Sequence, residues 1–548
     1  MRINKIHGFP IIIGVIIVVS LFLLSCTGER SNVPPNVVLI FVDDLNDWAL
    51  HPPGHPKALV PNIDKLARQS VSFTNAHVAV PVCGPSRKCL FSGLYPQTIN
   101  DYHFDPWAKS PVLENCVPLP RHFRDNGYQV YGAGKLLHEG EGGDFYTEYG
   151  YGIDYGPHPW RGVGPAEFTP HPAQFEQWKD LLPILDMHRD LNYGPLSNVP
   201  VVPPDPNGEY PGSTGWHYKN GEPFRYVSDE DRDPMPDEIT AAFAMDVLSS
   251  EHEKPFFLAV GLLRTHSPLY APKEYFDRFP MEEITLPPYL KYDREDCASV
   301  LRNRWEWGFT KFDALIDAGG EQALKEWVQA YLACSAFVDD QVGAILETLE
   351  KSPYKDNTIV ILTSDNGYHI GEKDCIQKWH LWNESTRVPL LIQVPRAKTG
   401  GKTVLHPVSL VDLYPTLIDL CGLPSEPHIP CGGPALSGFS LMPFLEDPST
   451  NSWDGPPVCL SAIRGPLAGN LPDTDEEPHF SVCSERYRYT LCANGEEELY
   501  NHQEDPNEWT NLAGQPEFSG IASQLRVEMK KILEKSGYSP AKPSSISP

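Results

Sequence analysis

Asn36-Val37-Val38-Leu39-Ile40-Phe41-Val42, closed by Asp43-Asp44, is the stretch whose reading decides the fold. It is an apolar, β-branched run without polar alternation, the pattern of a strand buried on both faces of a parallel sheet. Open α/β sheets present ligand groups at the carboxyl ends of their strands, so the two acids lie where a site is expected. Adjacent carboxylates repel and are stable together mainly beside a cation or a cationic side chain. A solvated acidic loop is the plain alternative.

Outward from this strand the pattern repeats. Residues 255–261 and 358–363 are further buried-strand runs, the second ending in Ser364-Asp365-Asn366-Gly367. Residues 128–132 read as a shorter strand that opens into Lys135 and His138. Helical spacing marks 61–69, 119–126, 237–249, 325–350 and 408–421. Strands alternating with helices predict an α/β fold, a mostly parallel sheet between helices. After about residue 425 the texture changes to short strands, at 487–493 and 497–501, and a terminal amphipathic helix at 521–536. Residues 139–235 are rich in Gly, Pro, Tyr and Trp without periodicity and read as surface insertions that shape a cleft.

The chain has 548 residues, too many for one ordinary domain. With 41% hydrophobic and 11% aromatic residues it can bury a substantial core, which excludes global disorder. A formal charge of −28 argues against a nucleic-acid partner. Any anion site must therefore be a local basic pocket. Arg2, Lys5 and an apolar core over 11–24 read as an export signal covering 1–25. Leu23-Leu24-Ser25-Cys26 resembles a bacterial lipobox, which makes Cys26 a lipidated N-terminus on a short tether, 26–35, with a plain signal peptide as the alternative. The expected location is the periplasm or cell surface. Export permits disulfides. Ten cysteines remain besides Cys26 and Cys83, and Cys421 and Cys431, flanking a Pro-rich loop, are the candidate pair.

Val82-Cys83-Gly84-Pro85-Ser86-Arg87 places a thiol at a Gly-Pro turn, with a helix expected to begin at Ser86-Arg87. A cysteine at a helix N-terminus beside a guanidinium favours anionic chemistry, although such a cysteine is often structural. Asp43, Asp44, Asp365 and Asn366 offer oxygen ligands from two strand ends, a set suited to a hard cation such as Ca²⁺ or Mg²⁺. Lys135 and His138, three apart, share a face if their segment is helical. His266 follows the strand at 255–261, and Lys378 lies in Gln377-Lys378-Trp379-His380. Taken singly, each of these is an ordinary residue, and His369 and His380 are left unassigned.

Cys-x-Pro-Ser-Arg followed by Ser92-Gly93 resembles the signature of type I, formylglycine-dependent sulfatases, and the other residues follow in that family's order. The resemblance runs from Asn36 to about Leu512. At 256–273, 387–389 and 407–416 it is closest to the iduronate-2-sulfatase branch. It implies an alkaline-phosphatase-like catalytic domain over 36–425 and a smaller C-terminal α+β subdomain over 426–548. It also implies Cys83 oxidised to formylglycine (3-oxoalanine) by a formylglycine-generating enzyme, with Ca²⁺ on Asp43, Asp44, Asp365, Asn366 and the modified Cys83. Arg87 activates the nucleophile, Lys135 and Lys378 hold the sulfuryl oxygens, His266 is the general acid and His138 a base. The implied substrate is a sulfated glycan. Two departures stand out: Asn366 where the human-type enzymes carry His, and Leu263-Arg264 where the branch carries a His-Lys pattern. They leave iduronate specificity open. Other readings are a phosphomonoester or phosphonate hydrolase of the same superfamily and a non-catalytic glycan-binding surface lipoprotein.

Overall fold

Strand β1 (Asn36–Val42) is buried along its whole length. The computed structural model describes residues 33–50, 54–138, 143–159, 193–198, 215–302, 307–465 and 477–538. The expected leader and Cys26 lie outside them. Among the described residues no helix is long and apolar enough to cross a membrane.

β1 is an inner strand of an eight-stranded sheet. The others are β2 (Val71–Phe73), β3 (Gln129–Gly134), β4 (Glu148–Tyr149), β5 (Phe256–Leu262), β6 (Thr358–Thr363), β7 (Leu390–Gln393) and β8 (Lys402–Val404). Their spatial order is β8-β2-β7-β6-β1-β5-β3-β4. Val38 of β1 pairs in parallel with Leu258 of β5 and with Val360 of β6. β3 lies parallel to β5 and to β4, and β8 to β2, whereas β7 runs antiparallel to both its neighbours. The sheet is mostly parallel, as the apolar runs predict.

Successive strand side chains point to opposite faces, and β1 is apolar on both. Six helices cover them: α1 (Pro61–Ala67), α2 (Cys83–Ser92), α3 (Leu119–Asp125), α4 (Pro236–Ser249), α5 (Trp307–Lys351) and α6 (Leu413–Cys421). Val38, Ile40 and Val42 join a core with α1, α4 and α5, while Val37, Leu39 and Phe41 join one with α2, α3 and α6. Each such side chain contributes roughly 1.5–3 kcal/mol when fully buried. α5 is two helices joined at a break at Gly320 (φ 61°), and the helix expected at 325–350 is the second of them.

The C-terminal part is an antiparallel meander of β9 (Cys459–Ile463), β10 (His479–Cys483), β11 (Tyr487–Leu491) and β12 (Glu497–Asn501), covered by α7 (Ser519–Lys535). Two of its strands, β9 and β10, escape the sequence reading. The expected Cys421–Cys431 pair is not formed. Cys421 is a buried free thiol beside the Tyr128 hydroxyl, and Cys431 is an exposed free thiol. The helix end turns one inward and the loop carries the other to the surface.

Candidate active site

Four neighbouring strands, β6-β1-β5-β3, deliver their carboxyl ends to one place. β1 leads into Asp43 and Asp44, β6 into Asp365 and Asn366, β5 into the turn carrying His266, and β3 into Lys135 and His138. The backbone ties these ends together: Asp43 N–H donates to Leu262 O (3.0 Å), Thr265 N–H to Asp43 O (3.2 Å) and Lys135 N–H to Gly261 O (2.9 Å). Asp44 takes a left-handed backbone (φ 60°). The Tyr331 hydroxyl of α5, donating to Asp44 O at 2.6 Å, holds it there.

α2 starts at Cys83, three residues before the expected start. Gly-Pro reads locally as a turn, yet the first helical turn tolerates proline because its N–H groups have no intrahelical acceptor. Gly84 is required by contact: a Cβ there would stand 2.6 Å from Phe104 Cδ1 and 3.5 Å from His138 Cβ. Residues 135–138 are not helical, so Lys135 and His138 do not share a helix face. Lys135 turns to Asp43, and His138 packs on Phe104, ring centroids 4.4 Å apart.

Three buried carboxylates meet three buried cations. Asp365 accepts from Arg87 Nε at 2.7 Å, and Arg87 Nη2 stands 3.8 Å from Asp43. Asp43 also pairs with Lys135, and Asp44 with Lys378. Asn366 Nδ2 donates to Asp44 at 2.7 Å. His266 Nε2 lies 3.8 Å from Asp44, while its Nδ1 is 2.6 Å from Ser267 O. A proton on Nδ1 for that carbonyl leaves Nε2 as the nitrogen that faces the acids. Burial works to raise Asp43, but Lys135, Arg87 and Lys378 outweigh it and hold the carboxyl below its ordinary value. Asp44 is pushed up to about 6 by burial against the pull of Lys378, with Asp43 and Asp365 adding to the rise. His138 is driven down to about 2 by burial and by Lys135, Lys378 and Arg87, so its imidazole is neutral. Burial raises the Cys83 thiol, although Lys135 and Lys378 oppose it. An unmodified Cys83 is therefore no preformed thiolate, despite its helix N-terminus.

The donor set fits a hard cation. Oxygens of Asp43, Asp44 and Asp365 lie within 4.8 Å of one another, a group that does not include the Cys83 sulfur. Asn366 Oδ1 is buried without a hydrogen-bond donor. Oxygen ligands without thiolate or imidazole select for Ca²⁺ or Mg²⁺ over softer metals.

The sulfatase profile matches residues 35–423, and the profile of the N-sulphoglucosamine sulphohydrolase C-terminal region matches 371–535. The chain belongs to the sulfatase family. It is 31% identical to a sulfatase of Formosa agariphila, over 93% of this chain and 90% of that one. It is 28% identical to iduronate 2-sulfatase of Mus musculus, over 92% of this chain and 95% of that one. A solved structure in complex with its substrate D-glucosamine-2-N,6-O-disulfate superposes with a TM-score of 0.64 at 18% identity, covering 92% and 98% of the two chains. The phosphonate monoester hydrolase of Agrobacterium radiobacter superposes with a TM-score of 0.65 at 21% identity, covering 92% and 96%. At these identities the structures establish the fold, the alkaline-phosphatase-like α/β sandwich with its smaller C-terminal antiparallel sheet. As a sulfatase, the enzyme is a sulfuric ester hydrolase.

This sulfatase has two further residues at the site that the sequence reading missed. The Tyr155 ring lies 5.2 Å from Lys135 Nζ, within cation–π reach, and 5.1 Å from the His266 ring. Arg264 is fully buried and donates to Tyr270 O (3.0 Å), Gly156 O (2.9 Å) and Tyr155 O (3.4 Å). It braces the Tyr155 loop against the His266 turn and offers no cation to a substrate. Tyr155 lies in a stretch without periodicity, and no sequence signal marks it. Arg264 is visible in sequence only as a departure from the expected pattern. His369 and His380 are buried beside Trp382, away from these acids, with His380 stacked on the indole at 4.4 Å.

Proposed function

We propose that this sulfatase is exported and hydrolyses sulfate esters of a sulfated carbohydrate, with Cys83 matured to formylglycine and calcium held by Asp43, Asp44, Asp365 and Asn366. The convergence of four strand ends and the α2 N-terminus on one buried, charge-balanced cluster carries this reading. The raised Cys83 thiol supports it too, because a protonated thiol is a poor nucleophile.

Bound calcium supplies a Lewis acid that polarises sulfate oxygens and favours an ionised oxygen nucleophile. Formylglycine, as its hydrate, supplies that oxygen. The chain's own residues do the rest. Lys135 and Lys378, buried and already cationic, neutralise charge on the sulfuryl group. Arg87, anchored on Asp365 at 2.7 Å, keeps a fixed positive charge at the nucleophile position. His266, protonated on both ring nitrogens, keeps Nδ1–H on Ser267 O and donates the Nε2 proton to the leaving sugar oxygen. His138, neutral at the mouth of α2, offers a ring nitrogen as hydrogen-bond acceptor on the nucleophile side and takes up a proton only as the negative charge of bound sulfate offsets Lys135, Lys378 and Arg87.

The glycan class follows the mouse relative, whose name is iduronate 2-sulfatase and which aligns over 92% of this chain. Arg264 is fully buried, with Nε and Nη2 on backbone carbonyls and Nη1 unpartnered among the described residues, so burial withholds its charge from an acidic sugar. Maturation requires a formylglycine-generating enzyme, and the lipid on Cys26 is the membrane attachment of this reading. Against phosphomonoester or phosphonate hydrolysis stands the ligand set. Among the described residues the three aspartates are the one metal-competent group, without a second His/Asp cluster for two transition metals.

The test is the peptide mass around Cys83 in protein made together with a formylglycine-generating enzyme. Thiol-to-aldehyde conversion removes about 18 Da. The modified enzyme should then release sulfate from sulfated mono- and disaccharides and not phosphate from the matching phosphate esters. An unmodified thiol with no turnover would favour the binding-protein reading. Preferential phosphate release would favour the phosphohydrolase reading.

A further inference from the structure

A second reactive group lies far from the strand ends, at the rim of the C-terminal meander. Cys459 of β9 and Cys483 of β10 stand directly opposite each other in register, both buried free thiols, with Cys459 Sγ donating to Cys483 O at 3.5 Å. Directly opposed residues of an antiparallel pair have Cα atoms about 4.5 or 5.5 Å apart. That lies inside the roughly 4.4–6.8 Å that a disulfide spans.

The surroundings point the same way. His502 Nδ1 lies 4.0 Å from Cys483 Sγ, and its other ring nitrogen lies 2.7 Å from Glu508. Carboxylate, imidazole and thiol thus stand in line, an order that favours a thiolate at Cys483. Asn75 Oδ1 approaches the same sulfur at 3.8 Å. Burial opposes ionisation there, but contact with the Cys459 thiol outweighs it and holds Cys483 below its ordinary range, with His77, Arg488 and His502 adding to the effect.

We propose that Cys459 and Cys483 are joined in the mature protein as a cross-strand disulfide. The donor is a protein disulfide, the oxidant available in an export compartment. The Cys483 thiolate attacks one donor sulfur and expels the other as a thiolate. Cys459 then loses its proton and attacks the Cys483 sulfur of the mixed disulfide, expelling the second donor thiolate. Two protein thiols are oxidised to one disulfide, one donor disulfide is reduced to two thiols, and the two protons end on the donor. The meander is local in sequence, so His502 arrives with the sheet, and exchange takes place before Asn75 and His77 close over the pair.

The bond secures a support of the active site. β9 carries Ser461 and Ala462, which donate to Val78 O at 2.6 Å and to Ala79 O at 2.8 Å, on the segment that runs directly into Cys83.

The experiment is alkylation of the full chain, secreted into an oxidising compartment, in denaturant without reductant, followed by digestion and mass spectrometry. The expected product is a linked pair of peptides carrying 459 and 483, about 2 Da lighter than the two thiol forms together. In Cys459→Ser, Cys483 should become alkylated. Reductant should lower the melting midpoint of the wild type and leave the Cys459→Ser/Cys483→Ser double variant unmoved. Alkyl label on both cysteines of the wild type overturns the proposal, as does a link from either to another cysteine. A chelator-labile mass increment on the intact protein would also overturn it, by assigning the pair and His502 to a metal. The wild-type mass decides the matter even if a variant fails to fold, and it is independent of sulfate turnover.

Discussion

Two clusters of buried charge in this molecule are built on opposite plans. Beneath the C-terminal meander, Arg488 donates through Nε to Glu508 (2.7 Å), through Nη1 to Ser481 (3.3 Å), and through Nη2 to Asn383 (3.1 Å) and Thr386 (2.9 Å). Glu508 also accepts from the Asn383 N–H (2.8 Å) and pairs with His502 (2.7 Å). Every polar atom of that pair is used. At the strand ends, Arg87 Nη2 reaches Asp43 only at 3.8 Å and Asn366 Oδ1 has no donor. A saturated cluster fixes structure, whereas a cluster with unspent atoms is prepared for something it must still bind. Substitutions should therefore separate activity from stability between the two.

The largest effect belongs to the site. Cys83→Ala removes one small side chain and disturbs none of the six charges around it. Turnover should fall on the order of 10⁴-fold or more, while the unfolding free energy moves by about 1 kcal/mol or less. Steady-state kinetics and a denaturant titration on the same preparation check both halves. Wild-type turnover in this variant would sink the covalent mechanism, and a large loss of stability would erase the contrast.

The converse change is Glu508→Ala. Removing one partner of a buried, fully bonded pair typically costs about 3–5 kcal/mol, read as a lower denaturant midpoint. The protein that remains folded should keep near-wild-type turnover. A collapse of kcat without loss of stability would show that the meander serves chemistry directly.

The same pair sets a pH window. Burial would raise Glu508, but Arg488 and His502 outweigh it and hold the carboxyl at about 2, against an ordinary 4.5. Its stabilisation is complete above 4.5 and is lost as the pH falls towards 2. With Cys483 reduced, burial would lower His502, but Cys483 and Glu508 raise it from 6.5 to about 9; a closed Cys459–Cys483 bond leaves only the pull of Glu508 and brings that upper limit down. That contribution is complete below 6.5 and disappears as the pH rises through 9. Together they favour maximal stability between these limits. Melting midpoints across the pH range should show an acid limb that Glu508→Gln flattens. An unchanged acid limb would place the acid-sensitive group elsewhere.

How much of this was legible in sequence follows from which interactions are local. β1, β5 and β6 are readable because a strand buried on both faces must be apolar throughout, and polar residues break the run abruptly, acids after β1 and β6 and Arg264 after β5. β9 and β10 are not, since Ser461, His479 and Ser481 are polar residues buried by partners distant in sequence. The start of α2 is misplaced because Gly-Pro carries a turn signal that the first turn of a helix also accommodates. Lys135 and His138 converge on one site through an irregular turn, so their spacing carries no helical meaning. The positions of the catalytic candidates could be lifted from the Cys83 signature and the order of the acids and cations after it. Tyr155 and Arg264 could not, because their contacts are made by loops whose approach no local pattern encodes.

Tyr155 supplies the smallest and sharpest test, since it belongs to the working cluster without being one of its charges. Its ring lies between Lys135 and His266, so it positions the group that would hold sulfate and borders the one that would donate the proton. Tyr155→Phe keeps the ring and removes only the hydroxyl. The cation–π contact is worth about 0.5–2 kcal/mol and survives in phenylalanine, so kcat/KM should fall by roughly 5-fold or less. Tyr155→Ala also removes the apolar wall beside His266 and should add a rise in KM for a sugar sulfate that a small aryl sulfate does not show. Equal losses on both substrates would mean that the ring acts only through Lys135. A selective loss on the sugar would make the loop held by Arg264 part of the substrate cleft.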